Sequence, residues 1–240
     1  MGGEEMGHAI FEQRSGILGV AVASACGVVS SNQLIGMGEI AKKISVHGIK
    51  MTSRQTIVFL INREDLDEFR AEIEKIGLQI GVFGKVVRNV KGCAGNDTLC
   101  QRALGDAYGL GVTLQKQFMN QPVPKDFKIS TAGCVRACTD PYCADFGVIA
   151  KGKDTFSIYL GGRGGSSKPV HGQLILEGIS SKGVGEVLDY VLTKYRETAL
   201  SDERLCKTIE RCGIDAFIPA ISTVQKACTE ELDDFLAFMK

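Results

Sequence analysis

The chain has 240 residues, enough to bury a core in one large or two small domains. Its 28 basic and 28 acidic residues cancel, which argues against a bulk field steering it to nucleic acid or to a membrane surface. Hydrophobic residues make up 44%, ordinary for a globular protein.

Nine cysteines follow an acidic opening, Met1-Gly2-Gly3-Glu4-Glu5, which is unlike a secretory leader. That combination points to a reducing, cytoplasmic setting in which thiols stay free to bind metal. The most apolar run, residues 16–29, is too short and too interrupted by glycine to span a bilayer.

Residues 1–15 read as a mobile arm. Residues 17–22 are aliphatic and strand-like. Ser30, Ser31 and Asn32 offer caps for a helix running through Ile44, with Leu34, Met37, Ile40, Ala41 and Ile44 on one face. A short element at 48–51 precedes a β-branched strand at 56–61. Asn62 can cap the next helix, where Leu66, Phe69, Ile73 and Ile76 recur at helical spacing and Gly77 marks the stop. Residues 78–83 close the unit as a strand. The order β-α-β-β-α-β is that of the split ferredoxin-like module.

A helix is expected from Asn96–Asp97 to Gly105, carrying Leu99, Ala103 and Leu104, with Cys100 in its first turn. Residues 127–131 form a strand, and residues 146–150 and 156–160 a hairpin. Residues 185–198 form a helix with Val187, Leu188, Val191, Leu192 and Tyr195 as its apolar stripe. A further helix begins at Ser201 and ends at Cys212-Gly213. Residues 229–239 are amphipathic and suit docking or a dimer contact.

Two cysteine pairs lie in the middle of the chain, Cys93 and Cys100 with six residues between, and Cys134 and Cys138 with three. Four thiolates can hold an iron–sulfur cluster or a structural zinc. Zinc favours tighter loops, so the long first spacing leans to iron–sulfur. Cys26, Cys143, Cys206, Cys212 and Cys228 read as packing cysteines. The glycine run at 161–165 is either a flexible turn or a backbone cradle for an anion. Arg54, taken alone, is an ordinary solvated or salt-bridged arginine.

The run Cys138-Thr-Asp-Pro-Tyr-Cys-Ala-Asp-Phe-Gly147, with its lead-in Pro124-Lys-Asp-Phe-Lys-Ile-Ser130, resembles the signature of the sirohaem-containing sulfite and nitrite reductases. The likeness covers roughly residues 16–217. It implies an α+β fold: the arm 1–15, a ferredoxin-like half-domain at 16–84, a mixed α/β sirohaem and 4Fe-4S domain at 85–217, and a C-terminal helix at 218–240. By the same resemblance Cys93, Cys100, Cys134 and Cys138 hold the 4Fe-4S cluster, and Cys138 bridges to the sirohaem iron. Arg54 and Gln55, in Met51-Thr-Ser-Arg-Gln55, and Gly162, Arg163 and Gly164 in the glycine run fall beside the sirohaem, whose carboxylates call for fixed cations. Arg88 and Lys128 fall at the bound oxyanion.

The implied activity is six-electron reduction of sulfite to sulfide or of nitrite to ammonia, with Lys128 matching the sulfite pattern. No flavin or nicotinamide motif is visible, so electrons are expected from an external one-electron donor such as a ferredoxin. Two positions depart from the family: Asp126 stands where a Lys is expected, and Ala23 near an expected Arg. Lys125 could replace the missing cation only from the opposite strand face. Asp126 is expected to face the anion and repel it, which leaves open an electron-transfer or redox-sensing protein without efficient turnover. A zinc-stapled protein is the blander alternative. Fused members of the family combine two such halves, so a single half is expected to pair with itself or with a paralogue across a two-fold axis.

Overall fold

The computed structural model describes residues 7–226. Strands β1 (Ile10–Glu12), β2 (Leu18–Ala23), β3 (Gly48–Met51), β4 (Thr56–Ile61) and β5 (Gln79–Ile80) form one antiparallel sheet in the order β1-β2-β4-β3. β5 pairs with β2 at Val22 and Ala23, on the edge that β1 covers at Leu18 to Val20. Helices α1 (Ser31–Lys43) and α2 (Leu66–Lys75) complete the expected β-α-β-β-α-β unit.

α1 starts where it does because Ser30 and Gln33 form a reciprocal capping box. The Gln33 amide also donates to the carbonyls of Ile76 and Gly77, tying the start of α1 to the end of α2. Leu18, Val20, Val22, Phe59 and Ile61 from the sheet meet Met37, Ile40, Phe69 and Ile73 from the helices. Burying each such side chain stabilises the fold by about 1.5–3 kcal/mol.

One correction concerns the arm. Ile10–Glu12 is a strand paired with β2, because Ile10 packs against the half-domain core.

The second sheet has the order β10-β9-β8-β7-β6. β6 (Lys91–Gly92), β7 (Ile129–Ala132) and β8 (Phe146–Gly152) run parallel; β9 (Thr155–Leu160) and β10 (Gln173–Ile179) return antiparallel. Helices α3 (Ala107–Phe118), α4 (Ser181–Thr198) and α5 (Leu205–Cys212) share one core with these strands, built on Leu110, Leu114, Phe146, Ile158, Val191 and Tyr195. α3 and β10 go beyond the sequence-based expectations.

The helix expected at 96–105 is absent. Asn96 instead folds its own turn, its side chain accepting the N–H groups of Thr98 and Leu99. Leu99 and Leu104 stay about half exposed, at 50% and 49%. With no core to cover their face, so short a helix has nothing to stabilise it. The helix begins at Ala107, where the Asp106 carboxylate accepts the Gly109 N–H.

α5 likewise starts at Leu205 rather than Ser201, since Asp202 lies in the left-handed region at φ 61°. α4 starts four residues earlier than expected, capped by Ser180. The amphipathic segment 229–239 lies outside the described residues. Among the described residues no helix is long and apolar enough to cross a membrane.

Candidate cofactor and anion site

Parallel pairing of β6 with β7 sets Gly92 beside Thr131, so Cys93 and Gly133-Cys134 leave the sheet together at its carboxyl ends. In open α/β sheets that is where ligands bind. The Cys93 N–H donates to Thr131 O at 3.0 Å, and the Gly133 N–H donates to Cys93 Sγ at 3.0 Å. Gly95 lies flat on Gly133. A Cβ there would stand 2.7 Å from Cys93 Sγ and 2.7 Å from Gly133 Cα. This is a cradle that only glycines permit.

The chain then turns through Cys134 and Cys138, with Ala137 at φ 52°. A left-handed alanine costs about 1–2 kcal/mol. Two buried hydrogen bonds offset it: Thr139 Oγ1 donates to Thr131 O, and Ser130 Oγ donates to Thr139 O, each 2.7 Å.

Burial pushes the Cys93 thiol up, and negative charge at Cys138 and Cys134 adds to the rise, whereas the Gly133 and Gly95 N–H groups pull it down. Cys93 and the turn from Cys134 to Cys138 meet where the Gly133 N–H reaches Cys93 Sγ. Cys100 sits on the adjoining turn, which is tied to the cradle by the Leu104 N–H donating to Gly133 O at 2.8 Å. Among the described residues no three His, Cys, Asp or Glu side chains stand close enough for one metal ion. A cubane cluster needs a wider set, because each thiolate meets its own iron. The glycine cradle, the sulfur-directed N–H and the wide spacing of the thiols fit a cluster better than a zinc.

A second cluster lies at the amino ends of the same strands. Val87 bridges Phe127 in parallel, so Arg88 and Lys128 stand side by side. Arg88 Nε donates to Val82 O at 2.6 Å, and its guanidinium lies 4.5 Å over the Phe83 ring. Asp126 stands between the cations, 3.4 Å from Lys128 Nζ and 3.8 Å from Arg88 Nη1.

Arg204 was not anticipated. Its Nη1 donates to Asp126 at 2.6 Å, while its Nη2 spans both oxygens of Asp145 at 3.1 and 2.8 Å. Asp145 is fully buried and also accepts the Lys128 backbone N–H at 2.9 Å. Only the Asp within the matched motif hinted at Asp145; no local signal marks Arg204. Burial pushes the Lys128 ammonium and the Arg88 guanidinium down.

Arg54 belongs to this set. Burial, then the charge of Arg88, lowers its guanidinium to about 10. Its Nη2 donates to Asn89 O at 2.7 Å, and Asn89 Nδ2 returns a bond to Arg54 O at 3.1 Å. The Nε atoms of Arg54, Arg163 and Arg204 are buried without a protein partner. Such orphaned donors are what an anionic ligand would satisfy.

The remaining expected residues are placed differently. Gln55 gives its amide to the backbone of Gly92, accepting its N–H at 2.9 Å and donating to its carbonyl at 2.7 Å, and so braces the half-domain against β6. Gly162 and Gly164 are glycines because a side chain would strike Tyr142 O, Ala144 O and the Cys143 Cβ, so the run packs against residues 142–144. Arg163 pairs through its backbone with Val170. Lys125 points to Asp202 at 3.0 Å and does not replace the missing cation. Ala23 is buried in β2 opposite Thr56.

Two family models match the chain: the nitrite/sulfite reductase ferredoxin-like half domain over residues 11–76, and the nitrite and sulphite reductase 4Fe-4S domain over residues 83–227. A nitrite reductase [NAD(P)H] of Emericella nidulans is 32% identical over 200 residues, covering 82% of this chain and 18% of that protein. An assimilatory-type sulfite reductase of Nitratidesulfovibrio vulgaris is 24% identical over 219 residues, covering 91% of this chain and 98% of that one.

The chain thus spans 17–27% of the length of the nitrite reductases it matches. Among solved structures, dissimilatory sulfite reductase I superposes with a TM-score of 0.75 at 16% identity, over 85% of this chain and 70% of that one. The NirA protein of Mycobacterium tuberculosis superposes with 0.67 at 21% identity, over 88% and 41%. The chain belongs to the nitrite and sulphite reductase family.

Proposed function

We propose that the chain is a reductase of a small oxyanion, sulfite in preference to nitrite, fed by an external one-electron donor. Membership of the family carries with it a sirohaem and a 4Fe-4S cluster. The observation that supports the reading best is the pairing, on one domain, of a thiol site at the carboxyl ends of β6 and β7 with a cation cluster at their amino ends.

When bound, the cofactors supply electrons singly; sulfite takes up six electrons and six protons to give sulfide and three waters, nitrite six electrons and eight protons to give ammonium and two waters. Cys93, Cys100, Cys134 and Cys138 would hold the cluster, and Cys138 would also serve the sirohaem. Arg54 and Arg163 would meet the macrocycle's carboxylates with their orphaned Nε groups.

Arg88, fixed by Val82 O and the Phe83 ring, holds the oxyanion and stabilises charge as its bonds break. Lys128 Nζ, its ammonium lowered by burial, is disposed to release a proton to a departing oxygen.

Extended chain advances about 3.3 Å per residue, so the five residues from Arg88 to Cys93 set the two groups on the order of 15 Å apart. That separation favours a site completed by a second copy or a paralogous half.

The test is anaerobic purification, a visible spectrum with iron and sulfide analysis, then reduction with a viologen dye and addition of sulfite or nitrite. A sirohaem Soret band, one cubane cluster per chain and dye oxidation with sulfide formation are expected. Cys138→Ser should break the cofactor link, and Cys143→Ser should retain both groups. Colourless protein holding one zinc would overturn the reading; coloured protein without turnover would favour electron transfer or sensing.

A further inference from the structure

Asp126 does not stand in the cation cluster as a bare charge. Arg204 bonds it at 2.6 Å and is itself pinned by two bonds to the fully buried Asp145. The side chains of Arg204 and Asp126 are only 12% and 15% exposed. The carboxylate therefore cannot swing away when an anion arrives. Its oxygens remain within 3.4 Å of Lys128 Nζ and 3.8 Å of Arg88 Nη1.

Formal charges then define the site. Arg204 is shared between two carboxylates, so Asp126, Asp145 and Arg204 together carry one negative charge. Arg88 and Lys128 carry two positive charges, which leaves an excess of one. Arg54, the remaining cation, is engaged by Asn89 and faces the macrocycle in the function proposed above. The repulsion between a fixed carboxylate and an incoming anion scales with the anion's charge, so a dianion loses twice the free energy that a monoanion loses.

We propose that Asp126 is a specificity-determining residue that shifts this site towards a singly charged oxyanion, nitrite or hydrogen sulfite, relative to the sulfite dianion, with Arg204 and Asp145 as the positioning residues that hold it. The proposal rests on the reductase reading and adds to it the ionic form that the site accepts.

The experiment titrates cofactor-loaded protein, checked by its visible spectrum, with nitrite and with sulfite above sulfite's second ionisation. Dissociation constants come from the spectral changes. In Asp126→Asn, nitrite should bind about fivefold tighter and sulfite about twenty-five-fold tighter. The second figure is the square of the first because the dianion carries twice the charge.

Asp126→Ser, uncharged and smaller, should move the ratio the same way and serves if the first variant does not load. Arg204→Lys keeps the charge but lacks the second donor arm, so it should shift the ratio in the same direction by a smaller factor. Equal changes for the two anions, or no change, would overturn the role of Asp126. An unmoved ratio in Arg204→Lys would overturn that of Arg204. Wild-type protein that loads no haem-type cofactor or binds neither anion would instead overturn the reductase reading.

Discussion

Gln55 and Gly92 exchange two hydrogen bonds, amide nitrogen to carbonyl at 2.7 Å and N–H to amide oxygen at 2.9 Å, across 37 residues of sequence. Gln55 reaches Gly92 from a left-handed backbone, φ 59°. Its neighbour Arg54 is held by the paired bonds with Asn89. Gln115 adds a third tie, accepting the Val90 N–H and donating to Ser24 O. The half-domain thus grips the segment that ends in Cys93.

Gln55→Ala should lower the free energy of unfolding by about 1–3 kcal/mol, since the N–H and carbonyl of the buried Gly92 lose their Gln55 partner. Urea denaturation of the apoprotein reads the effect. A loss below about 0.5 kcal/mol, the low end for one ordinary hydrogen bond, would show that water replaces the amide at no cost.

Gly95→Ala should cost the protein most of its iron. The new Cβ meets Cys93 Sγ and Gly133 Cα at 2.7 Å, and both belong to the rigid cradle. Forcing a methyl group into so tight a contact costs about 1–3 kcal/mol. Iron and acid-labile sulfide per chain measure the outcome. Full cluster content with unchanged stability would mean that the turn carrying Ala94 and Gly95 can move away without disturbing the thiol.

Glu203 gives a pH dependence of known sign. Arg211 donates to it at 3.1 and 2.7 Å, and Leu200 N and Thr208 Oγ1 also donate, with Arg211 the leading cause of a carboxyl pKa lowered from 4.5 to about 2. A carboxylate that resists protonation when folded contributes stability above the unfolded pKa and loses it as pH falls towards the folded one. The melting temperature should therefore fall between pH 4.5 and about 2 more steeply in wild type than in Glu203→Gln. Parallel curves for the two proteins would contradict the assignment.

Much of the half-domain was legible in the chain itself. Ser30, the spacing of Phe69 and Ile73, and the β-branched run at 56–61 encode a cap, a helical face and a strand, all of which act over a few residues. The cysteine spacing and the words around Cys138 carried the chemistry of the site for the same reason. The turn at Asn96 misled because Leu99 and Ala103 sit at helical spacing, and only the absence of a surface to cover decides against a helix there.

What the sequence by itself determined was the fold class, the family resemblance and the presence of an odd carboxylate at position 126. What the tertiary structure alone decided was the meaning of that carboxylate. Arg204 lies 78 residues from Asp126 and 59 from Asp145, beyond any local pattern. An ion pair depends on distance in space and on exclusion of water, and both arise only when the fold brings Arg204, at the N-cap of α5, to Asp126 and Asp145 just before β7 and β8. The same holds for Gln55, whose amide is polar anywhere in the chain but becomes a brace only where Gly92 is brought to meet it.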